Sequence, residues 1–214
     1  MIIPTISAAS IRTENVGNHA SGLSKLIDSI RHWRLFGKIT LTDVGAFELV
    51  QLESLLKQLG GSVDVQIKID SPEEAAVLTL LNAGATTIIC QEADAAKLGS
   101  VPPDRLTHLY VNREKTLTTG DQIEQADPTA KELAHLEEIG VDCLVDADLL
   151  RANPDLIADF FSHALVSDRP DGLWPTLIVD SLGLALGLAY SNRESLLDAL
   201  VHRRGTYWSR SRDS

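Results

Sequence analysis

Val63-Asp64-Val65-Gln66-Ile67-Lys68-Ile69-Asp70-Ser71-Pro72-Glu73-Glu74-Ala75 changes its hydrophobic period part-way along, and that change decides the fold class. Val63, Val65, Ile67 and Ile69 alternate with polar residues, the period of a strand with one face against a core. After Asp70 the period lengthens. Ser71 reads as an N-cap, Pro72 suits a first helical position, and Glu74 completes capping-box spacing with the serine. Val77, Leu80 and Leu81 then recur at helical spacing up to Gly84, and a β-branched run from Thr86 to Cys90 follows the short Ala83-Gly84-Ala85 turn. Strand, helix and strand in this order are most simply joined in parallel.

The same alternation extends both ways. Upstream, Leu23, Leu26, Ile27 and Ile30 form a helical stripe, Lys38 to Thr42 reads as a strand, and Leu52, Leu55, Leu56 and Leu59 mark a helix closed by Gly60-Gly61. Downstream, Leu106 to Val111 reads as a strand and the polar stretch Arg113 to Asp127 as a loop. Asp127-Pro128 opens a helix through Leu133, Leu136 and Ile139, Val141 to Val145 is a strand, and Asn153-Pro154 opens a helix using Ile157, Phe160, Phe161 and Ala164. Residues 1–165 are therefore expected to form an α/β domain, a mostly parallel βα-repeat arranged as a degenerate half-barrel or another open α/β layer.

Composition bounds the function. The 214 residues are 44% hydrophobic, enough for a packed core. Asp and Glu outnumber Lys and Arg by 30 to 19, which argues against a nucleic-acid polymer as partner, because such binding rests on neutralising phosphates. Cys90 and Cys143 make no disulfide framework, and no signal peptide or membrane-spanning run is read, so the expectation is a cytoplasmic protein with no membrane partner. His19, His32, His108, His135, His163 and His202 are scattered, with no pair at metal-ligand spacing. Gly183 and Gly187 lack the third glycine of a dinucleotide fingerprint. Asp43, Asp70 and Asp146 end or follow strands, where barrel acids reside; capping or turn roles are the simpler reading.

The densest chemistry lies in Tyr207-Trp208-Ser209-Arg210-Ser211-Arg212. Two guanidinium forks can bind phosphate oxygens in pairs, the serines add short-range donors, and the aromatic rings offer a face to a purine. As a strand, however, the run puts both arginines on one side, which an exposed edge would also do. Upstream stand Leu186-Gly187-Leu188-Ala189-Tyr190-Ser191-Asn192-Arg193-Glu194-Ser195-Leu196 and Gly205-Thr206, where Ser191 and Glu194 have capping-box spacing. Taken together, these segments resemble the opening of phosphoribosyl-AMP cyclohydrolase, a histidine-biosynthesis enzyme. Asp168-Arg169-Pro170-Asp171-Gly172-Leu173 and Thr176-Leu177-Ile178-Val179-Asp180 look like the entry to that domain in fused histidine-biosynthesis proteins.

The resemblance covers about Ser167 to Arg212, and residues 166–214 are accordingly read as the start of a cyclohydrolase-like α+β domain. It implies that Trp208, Ser209, Arg210, Ser211 and Arg212 contact the substrate phosphoribosyl-AMP, whose adenine ring the family opens by hydrolysis. It further implies zinc and magnesium in the complete domain, and a homodimer. The family continues into a Lys-Gly-Glu-Thr-Ser-Gly stretch and a Cys-Asp-x-Asp-x-Asp motif that carries metal, and neither occurs in the 214 residues. Cys143-Leu144-Val145-Asp146-Ala147-Asp148 has the wrong spacing and a single thiol. The chain is therefore expected to hold no metal or other cofactor and to be inactive alone; the alternative is a non-catalytic α/β docking or dimerisation module. A weaker resemblance joins Asp70 to Ala85 to the phosphate-binding (β/α)-barrel enzymes of histidine biosynthesis, but Ile67-Lys68-Ile69-Asp70-Ser71 has no glycine where those enzymes let backbone amides approach a phosphate.

Overall fold

The computed structural model describes residues 1–13, 19–110, 121–180 and 184–208. The first half of the chain runs β1 (Ile2–Ser7), α1 (Ala8–Thr13), α2 (His19–Trp33), β2 (Lys38–Thr42), α3 (Leu49–Leu59), β3 (Asp64–Lys68), α4 (Glu74–Ala83), β4 (Thr87–Cys90) and a single turn α5 (Glu92–Ala95). It continues through β5 (Leu106–Tyr110), β6 (Gln122–Gln125), α6 (Ala130–Glu138), β7 (Asp142–Asp146), α7 (Ala147–Ala152) and α8 (Pro154–Ala164). The last elements are β8 (Trp174–Val179), β9 (Ala185–Ser191) and α9 (Arg193–His202). Two compact units result, one of Met1–Asp127 with Ile139–Ala147, the other of Pro128–Glu138 with Asp148–Ser214. The 165/166 division marks where the family resemblance begins; the compact units divide the chain elsewhere.

In the first unit the parallel βα-repeat read from the hydrophobic period is built. Strands β1 to β7 pair in sequence order, all parallel, and the sheet curls until β7 returns to β1, with Ile2–Thr5 in register with Cys143–Asp146. Seven strands leave a degenerate barrel, one short of the eight of a complete (β/α) barrel. Alternation along each strand separates two faces. Ile39, Leu41, Val65, Ile67, Ile88 and Val145 are buried on the outer face, where α2, α3 and α4 supply the buried Leu26, Ile30, Leu52, Leu55, Val77 and Leu80. The inner face is mixed. Ile3 and its register partner Leu144 meet Ile89 from β4, forming an apolar plug inside the barrel.

Polar residues fill the next interior positions. Thr40 donates through Oγ1 to Gln66 Oε1 at 3.2 Å, and Gln122 Nε2 donates to the same oxygen at 3.4 Å. Gln122 also reaches Asp142, whose carboxylate lies 3.3 Å from the N-terminal ammonium and 3.5 Å from Lys38 Nζ. Gln122 Oε1 has no hydrogen-bond partner among the described residues.

Several local expectations need correction. The polar stretch 113–127 contains β6, because an inward-facing strand of a polar-lined barrel shows little apolar alternation. Helix α4 begins at Glu74, not at Pro72, and Glu74 accepts a hydrogen bond from Ser100 N at 2.7 Å in place of the expected capping box. The Ser100 hydroxyl, and after it the Ser100 amide, hold the carboxyl below the ordinary range. Gly60 closes α3 as read, in a left-handed conformation (φ 56°) that a Cβ would strain.

In the second unit α8 packs against α6 and α9. Asn153 caps α8 by accepting from Leu156 N at 3.2 Å, as its position before Pro154 implies. The capping box of α9 falls one residue later than the Ser191/Glu194 spacing indicates: Asn192 accepts from Ser195 N, and Ser195 Oγ accepts from Asn192 N. Glu194 instead sits in the first turn, at the positive end of the helix dipole. Arg193 ties α9 to α8 through Asp159 and, at 2.9 Å, Asp155. β8 and β9 form an antiparallel hairpin with Leu177 opposite Leu188.

Candidate functional site

Parallel strands of a barrel deliver their C-terminal ends to one rim, and side chains from those ends and the loops beyond them share one opening. Here the ends of β1, β2, β3, β6 and β7 surround a cavity of about 550 Å³ lined by Thr5, Ser7, Thr42, Asp43, Lys68, Asp70, Glu124, Gln125, Ala126 and Asp146. The size is that of a small-molecule site. Asp43, Asp70 and Asp146, dispersed in sequence, therefore share one cavity.

Asp43 also has the turn role read for it. It adopts a left-handed conformation (φ 52°), which aspartate tolerates better than most residues, and its carbonyl accepts from Ala46 N at 3.1 Å. Its carboxylate is oriented by two hydroxyls: Ser7 Oγ donates at 2.7 Å and Thr42 Oγ1 at 3.1 Å. On the other side Lys68 Nζ pairs with Glu124 Oε2 at 2.8 Å. Thr5 lines the base of the cavity and is only 7% exposed.

Sequence reasoning missed Thr5, Lys68 and Glu124. A signal existed for Lys68, the last inward-facing residue of β3. None existed for Glu124, whose strand lies in a stretch without apolar period. The lining also differs from a phosphate cradle: among the described residues it has no arginine, and no glycine stands in the β3 to α4 turn.

In the second unit, Trp208 is the one member of the sequence-read substrate set within the described residues; Ser209, Arg210, Ser211 and Arg212 lie outside them. Trp208 N donates to Tyr190 O at 2.7 Å, which lays the start of the arginine-bearing run beside β9. The Arg169 guanidinium carbon stands 4.4 Å from the Tyr190 ring centroid, and Arg169 makes a two-pronged contact with Asp171 at 2.9 and 2.7 Å. The guanidinium holds the Asp171 carboxyl below its ordinary range. Thr206 Oγ1 donates to Asp198 Oδ2 at 2.6 Å, the largest cause of the lowered Asp198 pKa, to which His202 and Arg204 add.

Among the described residues no three His, Cys, Asp or Glu side chains converge so as to hold a metal ion, so these donors do not fit zinc or magnesium. Cys143 is buried in β7 and Asp146, at the odd spacing of three, faces the cavity. Burial, with a contribution from Asp94, pushes the Cys90 thiol pKa up, as in an inert core cysteine. Among the described residues no helix is long and apolar enough to cross a membrane.

No family model matches the chain. It is 31% identical over 166 residues to the histidine biosynthesis trifunctional protein of Kluyveromyces lactis, an alignment covering 76% of this chain and 19% of that protein. The trifunctional protein of Saccharomyces cerevisiae is 26% identical over 137 residues, 64% of this chain and 16% of its own length. A shorter match of 46% identity over 56 residues, 26% of this chain and 13% of the relative, is to the histidine biosynthesis bifunctional protein of Schizosaccharomyces pombe. The homologues are multifunctional histidine-biosynthesis proteins. That supports a role in histidine biosynthesis, carried by a chain that spans less than a fifth of each of these relatives.

Proposed function

We propose that this chain is the N-terminal part of a multifunctional histidine-biosynthesis protein whose full form hydrolytically opens the adenine ring of phosphoribosyl-AMP. The observation that carries this reading is the alignment of 76% of the chain with a trifunctional histidine-biosynthesis protein. The Tyr-Trp-Ser-Arg-Ser-Arg run supplies the finer assignment to a cyclohydrolase domain. In that domain Trp208, Ser209, Arg210, Ser211 and Arg212 contact the nucleotide or its phosphate, zinc and magnesium are held by residues beyond those present here, and two subunits pair. The reading places the protein in the cytoplasm. The chain alone is expected to be inactive, because the family's Lys-Gly-Glu-Thr-Ser-Gly stretch and Cys-Asp-x-Asp-x-Asp motif do not occur in its 214 residues.

Sequencing the gene beyond codon 214 tests the assignment. A following Leu-Trp, a Lys-Gly-Glu-Thr-Ser-Gly stretch and a Cys-Asp-x-Asp-x-Asp run support it; a stop at that point favours a non-catalytic docking or dimerisation module. The apolar surface of the β8–β9 hairpin is the observation on the side of that second reading. Assaying the isolated chain with phosphoribosyl-AMP, zinc and magnesium is expected to give no turnover above a metal-only blank. Turnover that persists through further purification would overturn the inactivity of the chain.

A further inference from the structure

We propose that the mouth of the seven-stranded barrel binds a small hydroxylated organic cation, a site independent of the cyclohydrolase reading. Three observations carry it. The first is the cavity of about 550 Å³ at the C-terminal ends of the strands. Such a volume accommodates a molecule the size of a monosaccharide with room for its hydrogen bonds.

The second is Thr5. Its side chain is more than nine-tenths buried and lines the base of this cavity, yet its hydroxyl has no hydrogen-bond partner among the described residues. The neighbouring interior residues Thr40 and Gln66 satisfy one another, so Thr5 is where the interior network stops and the cavity begins. The hydroxyl opens onto the cavity, and a ligand hydroxyl seated above it can take that bond.

The third is charge. Lys68 is engaged by Glu124, while neither Asp43 nor Asp70 is paired with a cation among the described residues. Ser7 and Thr42 fix the Asp43 carboxylate through neutral donors, which orient its charge without cancelling it. Asp146 adds a further carboxylate to the lining. An ammonium group held by these carboxylates makes charge-assisted hydrogen bonds, stronger than those to a neutral hydroxyl. A phosphate ester meets the opposite situation: carboxylates face it, the lysine is occupied, and among the described residues the lining offers no arginine and the β3 to α4 turn no glycine.

Titration of the full chain, labelled with ¹⁵N, separates the ligand classes. Glucosamine, glucose and glucose 6-phosphate share one ring and differ by an ammonium or a phosphate. At pH 6, where an amine of this kind is protonated, glucosamine is expected to give saturable shifts at the amides of Thr5, Thr42 and Lys68, with an affinity about tenfold above that of glucose. Glucose 6-phosphate is expected to leave those amides unmoved. Thr5→Val, nearly isosteric, and Asp70→Asn, at an exposed position, should each weaken glucosamine binding about fivefold while leaving the urea midpoint unchanged. Absence of saturable shifts with glucosamine overturns the proposal. So does binding of glucose or glucose 6-phosphate as tight as that of glucosamine, or affinity unaltered in both variants.

Discussion

Arg193 shows how one side chain can join two helices. It follows the Asn192 cap at the start of α9 and reaches Asp159 and Asp155, one turn apart on α8. The hydrogen bond from Arg193 is the main reason the Asp159 carboxyl stays below its ordinary pKa. Because the folded pKa is depressed, the pair stabilises the fold above the unfolded value of about 3.9, and the contribution is lost as pH falls through the folded value. Arg193→Ala should therefore lower the urea midpoint at pH 7, and the gap from the parent should narrow at pH 3. A gap of equal size at both pH values would assign the loss to packing alone. Partial exposure of both partners keeps the electrostatic part small. Arg210 and Arg212 belong to the same scale. On the proposed cyclohydrolase reading, lysine at either position in the complete protein keeps the charge and loses the fork, which should slow turnover or raise KM at a cost of about 1.5–3 kcal/mol, with alanine costing more. Unchanged cyclohydrolase kinetics in both alanine variants would leave the arginines as an exposed strand face.

At the scale of elements, the barrel explains what the sequence discloses. β3 is legible because its apolar and polar residues alternate, and α4 because Val77, Leu80 and Ala83 recur at helical spacing after Asp70. β6 is not. Gln122 and Glu124 face a polar interior, Ile123 alone is buried as an apolar residue, and the four residues carry no apolar alternation. β1 is disguised differently: Pro4 argues against an interior strand, yet Ile2–Ser7 pairs on both sides. The cavity inherits both effects, since Asp43, Asp70 and Asp146 can be read as strand-end acids, whereas Glu124 needs β6 and Thr5 needs β1. The interior plug makes a test. Leu144 is fully buried against Ile3 and Ile89, so Leu144→Ala should destabilise the chain by about 2–5 kcal/mol through lost burial and a residual cavity. Chemical denaturation measures it, and a loss below about 1 kcal/mol would mean that the interior collapses to fill the gap.

At the scale of the whole molecule the two units differ in how they treat apolar surface. The barrel encloses its apolar strand residues, whereas the β8–β9 hairpin leaves Leu177 and Leu188 each 61% exposed, beside exposed Leu184, Leu186 and Val179. A two-stranded sheet is marginal in water unless more strands or another surface join it. Trp208 already bonds to Tyr190 of β9, which is how a third strand would begin. A contiguous apolar face of this kind favours association. Sedimentation of the chain over a range of concentrations should therefore show self-association, and the double substitution Leu177→Lys with Leu188→Glu should abolish it by making the face polar while setting opposite charges across the hairpin. Both positions are largely exposed, so the substitutions should change stability by no more than about 0.5 kcal/mol each, which denaturation can verify. A parent chain that remains monomeric at every concentration would show that the leucine face does not drive pairing. An associated variant with unchanged stability would place the contact elsewhere on the molecule.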